Sequence, residues 1–133
     1  MREREKAVTT SILIIEDEGE IRDFAARVLE LEGYRVFQAV NGGEGLRILR
    51  QNPVSLVLLD LRLPDYDGWT LLKELKDDPQ LSMVPVVMFT ASAAVSRRSQ
   101  AMAIGAVEYL VKPLSSARLK ETVHSILACE EEL

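Results

Sequence analysis

Five short apolar runs, each followed by a stretch with helical periodicity, constrain this chain more than any other feature. The runs cover residues 11–15, 34–39, 54–59, 84–89 and 107–111 and are rich in Val, Ile, Leu and aromatic side chains, so they read as strands. Between them the period changes. Ile21, Phe24, Ala25, Val28 and Leu29 fall at i, i+3, i+4, i+7 and i+8, one apolar stripe of about 3.6 residues per turn. Leu119, Val123, Ile126 and Leu127 form a similar stripe in the last segment. Helix boundaries are also written in the sequence: Asn41 with Glu44 forms a capping-box-like start, Asp67 can cap the third helix, and Gly33 suits the end of the first.

Strict strand–helix alternation implies a parallel sheet covered by helices on both faces, because parallel neighbours need long right-handed crossovers. The first, third and fourth runs carry no charge and read as strands buried on both faces. The second contains Arg35 and Gln38 and the fifth contains Glu108, residues better placed at sheet edges. The expected fold is therefore α/β, a doubly wound five-stranded parallel sheet in the order 2-1-3-4-5. Pro85 fits an interior fourth strand only at its very start, since proline cannot donate to the ladder.

A chain of 133 residues is one ordinary domain, expected over residues 11–129 between an N-terminal tail (1–10) and a short acidic tail (130–133). The formal net charge of −5 argues against a direct nucleic-acid surface, which needs a basic stripe. The single cysteine, Cys129, excludes an intrachain disulfide and a cysteine-based zinc site and suits the reducing cytoplasm. No apolar run approaches the ~20 residues that a membrane span needs. The opening MREREKAVTT has no apolar stretch after its charges and does not read as a signal peptide.

In a doubly wound sheet, ligands bind beyond the carboxyl ends of the strands at the point where the strand order reverses. Here the first strand runs into Glu16-Asp17-Glu18, the third into Asp60, the fourth ends at Thr90 and the fifth at Lys112. Acidic residues at loop starts are usually helix caps or solvated groups, and Thr90 or Lys112 alone would be unremarkable. Their joint arrival on one rim is the signal. Two unit charges ~5 Å apart at an effective dielectric of ~20 repel by about 3 kcal/mol, so Glu16, Asp17 and Asp60 call for a compensating cation. All-oxygen donors with water completing the shell suit Mg²⁺, and Lys112 adds a fixed positive charge.

These residues sit in the motifs ILIIEDE, LLDLRLPDYDG, FTAS and YLVKP, with intervals of 43, 30 and 22 residues between Asp17, Asp60, Thr90 and Lys112. The set, with Asn41-Gly42-Gly43-Glu44 and Gly105-Ala106, resembles the receiver domains of two-component response regulators, chemotaxis-regulator-like proteins of flavodoxin-like (βα)5 fold. The resemblance covers about residues 10–128. It implies that Asp60 is the phosphoacceptor, loaded by a sensor histidine kinase or a phosphotransfer protein. It further implies that Asp17, Asp60 and the backbone carbonyl of Arg62 hold Mg²⁺. Glu16, one methylene longer than the commoner Asp, would act in the same site through water. Lys112 and Thr90 would bind phosphoryl oxygens, Lys112–Pro113 would be a cis peptide, and Pro64 and Gly68 would shape the loop after the acceptor. Thr90 and Tyr109 would form a switch that reshapes the face of the fourth helix, fifth strand and fifth helix, where a downstream target docks. Arg62 and Ser92, two residues past Asp60 and Thr90, would flank the path of an attacking water.

Other residues carry blander readings. His124 reads as a surface residue of the fifth helix, Arg97-Arg98 as a solvated helix face, and Cys129 as a late-helix residue. Three alternative functions are weaker. An FMN site needs a phosphate-cradling loop after the first strand, where this chain has three acids. An aspartate-nucleophile phosphatase usually carries a second Asp at position 62, which is Arg. A receiver-like interaction module working without phosphorylation has no need of Asp60 and Lys112, and both are present.

Overall fold

A computed structural model describes residues 10–131 of the protein. Strands β1 (Ser11–Ile15), β2 (Arg35–Ala39), β3 (Leu56–Leu59), β4 (Val86–Thr90) and β5 (Glu108–Val111) alternate with helices α1 (Gly19–Leu31), α2 (Gly42–Gln51), α3 (Gly68–Asp77), α4 (Val95–Ile104) and α5 (Ser116–Glu131). All strand pairs are parallel, and the sheet order is β2-β1-β3-β4-β5. The charged runs lie at the edges and the uncharged runs lie inside, as their composition implied. This is the flavodoxin-like doubly wound arrangement.

Period-two alternation splits the core into two layers. Leu13 and Ile15 of β1, Val57 and Leu59 of β3, and Val86 and Met88 of β4 face one layer, closed by Leu46 and Leu49 of α2, Leu71, Leu72 and Leu75 of α3, and Ala101 of α4. Ile12, Ile14, Leu56, Leu58, Val87 and Phe89 face the other, closed by Leu29 of α1 and Leu119, Val123 and Leu127 of α5. Each fully buried Leu or Ile contributes ~1.5–3 kcal/mol, so removing one from an interior strand costs more than any surface contact described below.

Strand starts shift where the backbone chemistry requires it. β4 begins at Val86 because Pro85 has no N–H to give; its carbonyl accepts from Val57 N at 3.0 Å. β3 begins at Leu56, with Ser55 N bonded to the Ser11 carbonyl at 2.7 Å as a lead-in. Caps appear as expected. Asn41 Oδ1 accepts from Glu44 N at 2.8 Å, while Glu44 Oε1 reaches back to Val40 N, also at 2.8 Å. Asp67 Oδ1 accepts from Trp69 N at 3.3 Å, and Gly33 adopts φ 97°, the left-handed region that ends α1. The fifth helix runs to Glu131, two residues into the stretch expected as an acidic tail. Residues 1–9 of the expected N-terminal tail and residues 132–133 lie outside the described residues. No helix among the described residues is long and apolar enough to cross a membrane.

One cap was not legible. Asp65, in the loop after β3, places both carboxylate oxygens on the first turn of α2, accepting from Gly42 N at 2.8 Å and Gly43 N at 2.9 Å. The Tyr66 ring lies against Gly42, where an added Cβ would come within 2.5 Å of it. The loop is thereby clamped to a helix more than twenty residues away. The backbone bond from Gly43, opposed by partial desolvation and aided by that from Gly42, holds the Asp65 carboxyl below its ordinary value of 3.8. A lowered folded-state pKa contributes stability above the unfolded value and loses it as pH falls through the folded one. Asp65→Asn is therefore expected to lower the urea midpoint at pH 7, and the gap from wild type is expected to close below about pH 3.8. Urea titrations at the two pH values check this, and a gap that persists in acid would refute the charged-cap account.

Candidate functional site

The register of the sheet assembles the site. Ile15 pairs with Leu59 and Thr90 with Val111, so the next residues of β1, β3 and β5 emerge together at the carboxyl edge. Backbone bonds continue past the strands: Asp60 N donates to the Ile15 carbonyl at 3.1 Å, Glu16 N to Ala39 O at 3.0 Å, and Lys112 N to Thr90 O at 2.8 Å. The Lys112–Pro113 peptide is cis.

Glu16, Asp17 and Asp60 each offer a carboxylate oxygen within 4.8 Å of the others. Asp17 is exposed, whereas Glu16 and Asp60 are buried. Lys112 Nζ lies 2.7 Å from Glu16 Oε1, 3.2 Å from Asp60 Oδ2 and 3.6 Å from Glu18 Oε1. It also stands 5.2 Å from the centroid of the Phe89 ring. The second oxygen of each buried acid meets backbone: Glu16 Oε2 accepts from Glu18 N at 3.1 Å and Asp60 Oδ1 from Arg62 N at 3.3 Å.

Burial pushes the Glu16 carboxyl up to about 7; Lys112 opposes this and the Asp60 charge adds to it. Burial on its own would pull the Lys112 ammonium down, but the bond to Glu16 and the charges of Asp60 and Glu16 outweigh it and leave its pKa raised. The ammonium therefore stays charged at neutral pH and offsets part of the carboxylate repulsion. Three oxygen donors drawn from two adjacent strand ends, one open to solvent, suit a hard, partly hydrated cation such as Mg²⁺.

An open cavity of about 570 Å³ lies over Asp60 and is lined further by Asp17, Thr90, Ser92, Lys112, Arg62 and Arg97. Thr90 is buried at the end of β4. Tyr109 is 3% exposed, and its hydroxyl donates to the Ser92 carbonyl at 2.8 Å. The structure thus brings Glu16, Asp17, Asp60, the Arg62 backbone, Thr90 and Lys112 together, and Tyr109 is tied to the cavity-lining Ser92. His124 is exposed on α5, away from this rim.

Arg97 and Arg98 are both exposed, as a solvated helix face implies, but Arg98 has a further role. Arg98 spans to β5, donating to the Tyr109 carbonyl at 3.1 Å and pairing with Glu108 Oε1 at 3.0 Å, while Arg97 lines the cavity. No local pattern could reveal this, because the contacts join a helix to the following strand.

Comparison with known proteins agrees with the geometry. The family model of the response regulator receiver domain matches residues 12–124. The chain is 40% identical over 116 residues to the "Probable transcriptional regulator ycf27" of Porphyra purpurea, covering 87% of this chain and 46% of that protein. It is 37% identical to the "DNA-binding dual master transcriptional regulator RpaA" of Synechocystis sp., covering 87% and 48% of the two chains. A CheY-like response regulator receiver domain protein from Methanospirillum hungatei JF-1 superposes with a TM-score of 0.86 at 31% identity, covering 92% of this chain and 97% of that one. The fold and the rim define a signalling domain of the receiver class, and the chain belongs to the response regulator receiver domain family. It spans about half the length of the curated relatives it matches.

Proposed function

We propose that this domain accepts a phosphoryl group on Asp60 from the phosphohistidine of a sensor kinase or phosphotransfer protein in the cytoplasm. The observation that carries the reading is the setting of Asp60: a buried carboxylate at the end of an interior strand, 3.2 Å from Lys112, lining an open cavity. A carboxylate oxygen of Asp60 attacks phosphorus, the P–N bond to the donor histidine breaks with its electron pair going to the imidazole, and an acyl phosphate forms. Glu16, Asp17, Asp60 and the Arg62 carbonyl would hold Mg²⁺, which when bound supplies charge against the phosphoryl oxygens. Lys112 binds one phosphoryl oxygen and the Thr90 hydroxyl donates to another. Both are preplaced on strand ends, so little reorganisation is needed as charge develops.

The buried Tyr109, bonded to the Ser92 carbonyl, supports the second half of the reading. Movement of Thr90 toward the phosphoryl group favours the inward ring and biases the α4-β5-α5 face toward the arrangement that a downstream target binds. The domain is a switch that catalyses only its own loading and unloading.

Intact mass after incubation with acetyl phosphate tests this. Wild type with Mg²⁺ is expected to gain one phosphoryl group, and Asp60→Asn or chelation of Mg²⁺ to abolish the gain. A folded wild type that gains none from acetyl phosphate or a histidine kinase would instead mark an interaction module working without phosphorylation.

A further inference from the structure

We propose that Arg97 is an anion-binding arm of this site, closing over the phosphoryl group on Asp60 from the α4 side and slowing its hydrolysis; the inference rests on the phosphoacceptor reading. Hydrolysis needs a water oxygen to approach phosphorus opposite the Asp60 oxygen. The P–O bond to Asp60 then breaks with its electron pair returning to the carboxylate, and inorganic phosphate leaves with the elements of water. Asp60 is buried and lines the cavity, so the in-line water arrives from the cavity's open side. Arg62, exposed on the β3–α3 loop, and Arg97, exposed in the first turn of α4, both line that cavity.

The two neighbouring arginines on α4 are used differently. Arg98 is committed to β5 through Glu108 and the Tyr109 carbonyl. The Arg97 guanidinium has no hydrogen bond or ion pair among the described residues, although Asp17, Glu18 and Asp60 line the same cavity. Lys112 already serves Glu16 and Asp60. Arg62 and Arg97 are therefore the uncommitted cations of the cavity, and a dianionic phosphoryl group is the partner their charge fits. A guanidinium presents a planar fork of donors that matches phosphoryl oxygens, which an ammonium does not. Because Arg97 follows directly on the loop that receives the Tyr109 hydroxyl, its reach over the site depends on where that loop holds α4.

The test is the decay of the acyl phosphate, followed by intact mass after rapid removal of acetyl phosphate. Arg97→Ala is expected to shorten the lifetime by about two- to fivefold, the range for a solvent-accessible ion pair. Arg97→Lys should recover part of the loss, and Arg62→Ala/Arg97→Ala should decay faster than either single variant. High salt should bring wild type toward Arg97→Ala, because exposed charges are screened. Arg27→Ala, an exposed arginine on α1, should decay as wild type does. A lifetime indifferent to Arg97 while the adduct still forms overturns this inference alone. A wild type that forms no adduct overturns the phosphoacceptor reading and this inference with it.

Discussion

At about pH 8.5, above the value near 7 to which burial pushes Glu16, Lys112→Met is expected to destabilise the metal-free protein by ~3–5 kcal/mol, the cost of removing one partner from a buried charge cluster. The side chain of Lys112 is 10% exposed and that of Glu16 is fully buried, so solvent cannot replace the ammonium. Without it, Glu16 and Asp60 face each other across the site with backbone N–H groups as their remaining donors. A divalent cation can supply the missing charge, so saturating Mg²⁺ should recover part of the loss. Phosphoryl uptake should fall ~100-fold or more, because a donor aimed at the phosphoryl oxygens has gone. Urea titrations with and without Mg²⁺, paired with a mass time course, check both parts. A loss under about 1 kcal/mol would show that the carboxylates are neutralised by protons rather than by Lys112.

Gly68→Ala is the second large effect. An added Cβ at the start of α3 would lie 2.5 Å from Leu61 Cα, 2.7 Å from Leu61 O and 2.9 Å from Asp60 O. All three are backbone atoms of the segment carrying the acceptor, and Gly68 N is already bonded to Leu61 O at 2.9 Å. No rotamer change can relieve the contact, so the helix start or the acceptor backbone must shift, at ~3 kcal/mol or more, the upper end for overpacking. Gly45→Ala is the instructive comparison. There the Cβ would meet Ile15 Cδ1 at 2.5 Å and Cγ1 at 2.9 Å, atoms of a buried side chain rather than of the backbone. Its destabilisation should be smaller, because a side chain can give where backbone cannot, and it should leave phosphoryl uptake near wild type. Equal losses in the two variants would show that backbone proximity to Asp60 is not what makes Gly68 necessary.

What could be read in the chain follows the range of the interactions. Sheet order was legible because burial on two faces forbids charge, which separates β1, β3 and β4 from β2 and β5. Convergence of Glu16, Asp17, Asp60, Thr90 and Lys112 was legible because a parallel sheet places all strand ends on one rim. Asn41 and Asp67 were legible because each caps a backbone N–H within three residues. Asp65 was not, since its partners Gly42 and Gly43 become neighbours only after two crossovers have packed. The contacts of exposed Arg98 with β5 were hidden for a similar reason: a charged residue on an exposed helix face looks the same whether or not it also meets the next strand. The apolar runs begin at residues 54 and 84, ahead of β3 and β4, because apolar composition extends past the ladder, which depends on backbone donors.

Tyr109 grips its surroundings from both ends. Its hydroxyl holds the Ser92 carbonyl ahead of α4, and its own carbonyl holds Arg98 within α4. Only the first of these ties travels with the ring. An outward swing of the ring frees the segment 91–94 while the guanidinium stays fastened to the strand. Release is therefore partial by construction: slack appears at the entrance to the helix, and the helix body remains moored along β5. A partner that senses the ring would read a loosened threshold, and a partner that displaces the whole helix must also break the Arg98 mooring.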